Sequence, residues 1–315
     1  MGSRVIITNS THPILPQRLR EAGVDVVELP SLDREGLIKA AQEADGIVVK
    51  SKITVDRQLI DALPALRCIG RVGAGMETID VAYAESRGIK CLNSPEGNRD
   101  AVGEQAVGML LSLLCHLNTA DDEVRRGLWQ REANRGLELG SRTVGIIGFG
   151  NMGSSFAKKI SGFGCNILAY DKYKYNYAPS YVTECSLTQL QQQADIVSLH
   201  VPLTDETDHM VNHAFLASFA RPIFLVNTAR GRVVDTAALV EAMKRGQVLG
   251  AALDVIEYED MSRDGLDSTS SEPEPLAYLR QSPRTLLTPH VAGWTVESRY
   301  KLAEVLANKI IDTLC

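Results

Sequence analysis

Three side chains of unlike chemistry follow predicted strands in the second half of the chain. Arg230 comes after I-F-L-V-N (223–227), Glu259 five residues beyond the strand that ends at Asp254, and His290 after T-L-L-T-P. An arginine presents a planar fork of donors that can grip a carboxylate and polarise the carbonyl beside it, as the point charge of a lysine cannot. A histidine titrates near neutrality and suits general acid–base work on a hydroxyl. A carboxylate on its other ring nitrogen fixes the tautomer and stabilises the imidazolium. The set fits interconversion of a 2-hydroxy acid and a 2-keto acid, in which a proton and a hydride move. The hydride needs a carrier.

A carrier site is legible upstream. V-G-I-I-G-F-G-N-M-G (144–153) is a strand feeding G-x-G-x-x-G at Gly148, Gly150 and Gly153, followed by a helix with Met152, Phe156, Ile160 and Phe163. A second strand, N-I-L-A-Y, ends at Asp171, about 20 residues on, as a dinucleotide-binding unit requires. The first glycine permits a tight turn, the second lets backbone approach a pyrophosphate, and the third lets helix and strand pack closely. The helix N-terminus turns free N–H donors toward phosphate. Asp171 would accept hydrogen bonds from the adenosine ribose and repel a 2′-phosphate, favouring NAD over NADP, with Lys172 and Lys174 working against that exclusion. Taken alone, the motif also suits a flavin or S-adenosylmethionine enzyme.

These residues must be delivered by strand ends. Strand patterns at 4–9, 24–29, 46–50, 67–72 and 90–93 alternate with helical spacing, and the alternation restarts with strands at 143–147, 166–170, 195–200, 223–227 and 248–254. Repeated β-then-α at this pitch predicts an α/β protein with parallel sheets covered on both faces. Ligands then bind at the carboxyl ends of strands. Between the two series a helix is expected over 100–117, apolar on several sides, as a bridge between domains and a subunit contact. A last helix through Val296, Tyr300, Val305 and Ile310 is expected to return to the first domain. The domains are therefore expected at 1–97 with 288–315, and at 98–287. The run 260–275 reads as a solvated loop.

The whole chain of 315 residues, with net charge −6, has no basic surface for nucleic acid. Its most apolar helix candidate, 106–117, is too short to cross a bilayer. Six cysteines without a C-x-x-C pair argue for reduced thiols and against a zinc site. No signal peptide precedes the first strand, so a cytoplasmic protein is expected. H-M-V-N-H (His209, His213) lacks a glutamate or third ligand and reads as a surface or helix-start pair rather than a metal site. Cys115–His116 reads as core, and Trp294 as packing for the last helix or, alternatively, as a lining residue of the cleft.

N-T-A-R-G-x-x-V-D (227–235), G-A-A-L-D-V-x-E-x-E (250–259), T-P-H-V-A-G (288–293) and V-G-I-I-G-F-G-N-M-G together resemble the D-isomer-specific 2-hydroxyacid dehydrogenase family, through nearly the whole chain and in the expected order. The resemblance implies two doubly wound parallel-sheet lobes, a flavodoxin-like substrate domain and a Rossmann NAD-binding domain, with a cleft between them, and commonly a homodimer. It implies that Arg230, Glu259 and His290 are the catalytic set. It places Gly148, Gly150, Asn151, Met152, Gly153, Asp171, His200, Val201, Pro202, Thr207, Thr228, Ala229, Asp254 and Gly293 at the cofactor. Val72, Gly73 and Ala74 of V-G-A-G would meet the substrate carboxylate through their backbone. V-V-K-S, I-G-R-V-G-A-G and G-L-W-Q-R are similar to the phosphoglycerate dehydrogenase branch, where cations hold a substrate phosphate; Lys50, Arg71 and Arg131 are the matching residues, Arg131 reaching in from a partner subunit. An end at Cys315 leads to the expectation of a short form without a regulatory domain. The family's usual proline after the catalytic glutamate is Asp260 here, and glutamate rather than glutamine as the partner of His290 argues against the formate dehydrogenase branch. The readings are a phosphoglycerate dehydrogenase, a hydroxypyruvate or glyoxylate reductase on the same scaffold, and a non-catalytic NAD(H)-sensing binding protein. The expected substrate is a small anionic 2-hydroxy or 2-keto acid in each enzymatic reading.

Overall fold

The computed structural model describes residues 2–50, 52–260, 265–266 and 272–315. Most of the polar run 260–275 thus lies outside the described residues, as does Ser51 of V-V-K-S. The chain divides into two compact units, Met1–Arg99 with Trp294–Cys315, and Asp100–Gly293.

In the first unit, short apolar runs form strands β1 (Arg4–Ile7), β2 (Asp25–Glu28), β3 (Gly46–Val49), β4 (Cys68–Arg71) and β5 (Lys90–Leu92), joined by helices α1 (Ile14–Glu21), α2 (Arg34–Ala40), α3 (Arg57–Asp61) and α4 (Val81–Ser86). All neighbouring strands are parallel, in the flavodoxin-like order β2-β1-β3-β4-β5. Successive side chains point to opposite faces, so Ile6, Ile47, Val49 and Ile69 enter one core while Val5, Ile7, Val48 and Cys68 enter the other. Local chemistry starts the helices: Asp33, Asp56 and Asp80 each accept the backbone N–H three residues on, and each cap contributes about 1 kcal/mol.

Helix α5 (Pro95–Leu114) carries the chain into the second unit, followed by α6 (Leu117–Arg125). The expected single helix over 100–117 is therefore broken. His116 takes a left-handed φ of 53°, which no α-helix continues through. Leu117, expected on the apolar stripe, is 54% exposed, and Cys115 is exposed rather than core. The second unit then lays down β6 (Thr143–Ile147), α7 (Asn151–Ile160), β7 (Asn166–Tyr170), β8 (Thr183–Glu184), α8 (Leu187–Gln193), β9 (Ile196–Leu199), α9 (His213–Ala217), β10 (Ile223–Asn227), α10 (Thr236–Lys244) and β11 (Val248–Leu253). A small antiparallel pair follows, β12 (Glu259–Asp260) with β13 (Gly265–Leu266), then α11 (Glu274–Gln281) and β14 (Thr285–Leu287). The large sheet is parallel throughout, in the order β14-β11-β10-β9-β6-β7-β8. That is the dinucleotide-binding order with one strand added. Ile146, Ile196, Val226 and Ala252 face the core that holds Ala106, Leu110 and Phe156, while Ile147, Val197, Leu225 and Ala251 face the opposite one.

The last helix, α12 (Val296–Leu314), starts on a Thr295–Ser298 capping box. Its Ala303, Leu306, Ala307 and Ile310 share a core with Leu15 and Leu19 of α1. The break before it falls at 293/294 rather than at the expected 287/288. The reason is physical: β14 pairs with β11, and the backbone of Thr288, His290, Val291 and Ala292 is bound to Leu253 and Asp254. Trp294, expected to pack the last helix, is 82% exposed.

Candidate active site

The glycine turn after β6 separates into two kinds of position. At Gly148 the φ of 90° favours glycine, and a Cβ would lie 2.6 Å from the His200 carbonyl oxygen. At Gly153 a Cβ would lie 2.0 Å from the Gly148 carbonyl oxygen. The protein itself therefore requires both. Gly150 is different: it caps α7 in an extended conformation (φ −84°), and a Cβ there would meet nothing within 4 Å. Neither backbone nor packing explains this glycine, but a pyrophosphate lying on the N-terminus of α7 does. Asn151 and Met152 open that helix. Asp171, just after β7, accepts the N–H groups of Phe149 (2.9 Å) and Tyr173 (3.0 Å), tying the position expected to meet the ribose to the glycine turn. Lys172 is ion-paired to Glu206, and Lys174 donates to the Phe149 carbonyl at 2.8 Å. These residues fit NAD.

On the next strand ends stand His200, Val201 and Pro202. His200 Nε2 lies 2.8 Å from Ser198 Oγ and the ring packs on Phe156. Burial pushes its pKa down to about 3 from an ordinary value near 6.5. The folded form therefore holds the neutral ring, while the unfolded chain takes up a proton as pH falls through 6.5. Stability is full above that pH and is lost progressively between about 6.5 and 3. The urea midpoint should fall from pH 6.5 to 4.5, and the fall should be shallower in His200→Gln; identical slopes would show that another group controls it. Thr207 Oγ1 closes the following turn on the Pro202 carbonyl at 2.6 Å.

β10 delivers Arg230 through a turn clamped by Asn227. This asparagine is fully buried; its Oδ1 accepts the Ala229 N–H and its Nδ2 donates to the Arg230 carbonyl, both at 3.0 Å. Thr228 Oγ1 beside it is buried with no hydrogen-bond partner. Arg230 Nη1 donates to the Ala229 carbonyl at 2.7 Å. Asp235 then caps α10 as expected, accepting the Ala238 N–H at 3.0 Å.

His290 and Glu259 meet. His290 Nδ1 lies 2.7 Å from Glu259 Oε2, while Glu259 Oε1 accepts the Ile256 N–H at 2.5 Å. A carboxylate only accepts, so Nδ1 carries the proton and Nε2 is left for a reacting group. The imidazole is aimed by an unusual backbone, φ 53°. That turn is held by Asp254, which is 1% exposed. Its Oδ1 accepts from Thr288 Oγ1 (2.5 Å) and the Val291 N–H (2.9 Å), its Oδ2 from the Ala292 N–H (2.9 Å), and its carbonyl from the His290 N–H (2.8 Å). The family resemblance implies a place for Asp254 beside the cofactor; its carboxylate binds the turn that presents His290. Asn227, Thr288 and Asp254 thus shape the site by holding its turns, a role that the sequence motifs do not announce. A buried asparagine ending an apolar strand was the available signal.

In the first unit, Lys50 and Arg71 close the neighbouring strands β3 and β4, where Val49 pairs with Arg71. Lys50 Nζ donates to the Ser10 carbonyl at 2.7 Å. The Val72–Ala74 backbone follows directly, with Ala74 held by Asn93 Nδ2 at 2.7 Å and Gly73 by the Ser94 N–H at 2.9 Å. Arg131 belongs to the second unit and is exposed, and Gly293 is that unit's last residue. Among the described residues, no group of three or more His, Cys, Asp or Glu could hold a metal ion, and no helix is long and apolar enough to cross a membrane.

Residues 107–292 match the family described as D-isomer specific 2-hydroxyacid dehydrogenase, NAD binding domain. The chain is 36% identical over 288 residues to the hydroxypyruvate reductase of Thermotoga maritima, covering 90% of this chain and 89% of that protein. It is 35% identical over 301 residues to the glyoxylate reductase of Thermofilum pendens, covering 92% and 85%. With the D-3-phosphoglycerate dehydrogenase of Archaeoglobus fulgidus it shares 34% over 296 residues, covering 93% of this chain but 54% of that one, about half its length. Among solved structures, D-lactate dehydrogenase from Aquifex aeolicus complexed with NAD and lactic acid aligns with a TM-score of 0.82 at 27% identity, over 98% and 94% of the two chains. The chain belongs to the D-isomer specific 2-hydroxyacid dehydrogenase family. It is an NAD-dependent oxidoreductase of D-2-hydroxy acids.

Proposed function

We propose that the enzyme oxidises 3-phosphoglycerate at its D-hydroxyl, or reduces the corresponding keto acid, with Arg230, Glu259 and His290 as its catalytic residues. The observation that carries the mechanism is the 2.7 Å contact of His290 Nδ1, beyond β14, with Glu259, beyond β11, whose other neighbour β10 leads to Arg230. Bound NAD supplies the two-electron hydride chemistry. Arg230 grips the substrate carboxylate and, in reduction, polarises the keto group beside it. His290 Nε2 takes the hydroxyl proton as C2 gives up its hydride, and returns it to the alkoxide in reduction. Glu259 stabilises the imidazolium formed in between. Support for a phosphorylated substrate comes from Lys50 and Arg71 on adjacent strand ends beside Val72–Ala74, since paired cations suit a dianion.

A second reading, a hydroxypyruvate or glyoxylate reductase, is favoured by relatives of those names matched along 89% and 85% of their length. NADH consumption with 3-phosphohydroxypyruvate, hydroxypyruvate and glyoxylate in one buffer decides between them. A preference of at least tenfold in kcat/KM for the phosphorylated acid, lost in Arg71→Ala, is expected on the first reading; equal or better rates with the smaller acids establish the second.

A further inference from the structure

A second histidine–carboxylate pair stands apart from the reacting set. His209 Nε2 lies 2.8 Å from Glu257 Oε1, and Glu257 Oε2 accepts the Thr236 N–H at the start of α10 at 3.0 Å. His213, its neighbour in H-M-V-N-H, lies instead 3.7 Å from Glu241. His209 also has a left-handed backbone, φ 50°, an uncommon state for a residue with a side chain and one that the surroundings must enforce. Turned that way, its N–H donates to the Arg232 carbonyl at 2.7 Å, within the turn Gly231–Val233 that follows Arg230.

One residue therefore holds two turns. Its main chain grips the turn that presents Arg230, and its ring grips Glu257, two residues before Glu259. The turns also touch directly: a Cβ on Gly231 would fall 2.0 Å from the Ile256 carbonyl oxygen, and the Ile256 N–H donates to Glu259. Contact alone stops the turns from closing further but does not stop them from sliding or separating. The His209–Glu257–Thr236 latch resists both.

We propose that His209 and Glu257 are positioning residues, which keep the arginine that grips the substrate carboxylate in register with the histidine–glutamate couple that moves the proton. The proposal rests on the catalytic roles assigned above to Arg230, Glu259 and His290. A substrate must meet both groups at once, and a displacement of about 1 Å between them costs about 10²-fold in rate.

His209→Asn tests it, because asparagine tolerates the left-handed backbone and is too short to reach Glu257. Glu257→Gln is the second variant, should the first fail to fold. With the preferred keto acid, kcat should fall about 10- to 100-fold while the Kd for NADH, read by nucleotide fluorescence, stays within twofold. The double variant should be no worse than the poorer single one, since a latch breaks once. Turnover within twofold of wild type, or a loss confined to thermal stability, overturns the proposal. His290→Asn, assayed alongside, separates the two ideas: if it keeps its turnover the catalytic assignment fails, whereas if it alone is dead only the latch fails.

Discussion

Replacing His290 by alanine is expected to lower turnover about 10²- to 10⁴-fold while NADH still binds. The structure says why these two outcomes separate. His290 Nε2 faces no described partner, and Nδ1 is committed to Glu259 at 2.7 Å. The glycine turn and Asp171, which fit the cofactor, are joined to each other by the Phe149 N–H and do not depend on the histidine. One complication is the backbone, since alanine at φ 53° is strained, at a cost of about 1 kcal/mol. The loss of a proton-transfer group is worth about 3–5 kcal/mol in the barrier, so the chemistry outweighs the strain. His290→Asn, which accepts a left-handed conformation, should be nearly as inactive. Steady-state rates and NADH fluorescence titration measure both. Retained turnover in either variant would remove His290 from the mechanism.

Gly231→Ala should be as damaging although its side chain adds a single carbon. The new Cβ would lie 2.0 Å from the Ile256 carbonyl oxygen, 2.1 Å from its carbon and 2.6 Å from the Glu257 nitrogen. These are backbone atoms, so no rotamer change relieves the clash. Either the Arg230 turn or the 256–259 turn must move by about 1 Å, and misplacement on that scale costs about 10²-fold. Overpacking of this kind destabilises by about 1–3 kcal/mol, which leaves most of the protein folded at assay temperature. The expected result is a folded variant with normal NADH affinity and kcat reduced at least 10²-fold; activity within threefold of wild type would mean that the two turns need not stay in register. Comparison with His209→Asn then tells contact from latch, since one variant forces the turns apart and the other only releases them.

Much of this architecture is legible in the sequence because its causes are local. Ile146 and Ile147 face opposite cores because the strand period is two residues. Asp235 starts α10 because its carboxylate reaches a donor three residues on. Causes acting across longer separations were not legible. The helix expected over 100–117 breaks at His116, whose left-handed φ no hydrophobic pattern announces. β8 has two residues and exists because β7 offers it an edge. The unit boundary at 293/294 follows from β14 pairing with β11 and from the hold of Asp254 on Val291 and Ala292, 37 and 38 residues away. Of the expected surface or helix-start pair His209 and His213, the second does start α9, but the first latches a carboxylate 48 residues on.

By itself, then, the sequence determined the kinds of residue available at each strand end: a glycine turn with an aspartate beyond it, an arginine, a glutamate and a histidine. Side-chain period, capping and turn chemistry act within a few residues, so they can be read in order along the chain. Only the tertiary structure decided which of these residues meet and which support them. It joined His290 to Glu259, gave Asp254 to the turn beneath the histidine, and pressed Gly231 against Ile256. Hydrogen-bond geometry and close packing are set by the distance between atoms, and a folded chain brings together residues that its sequence keeps far apart.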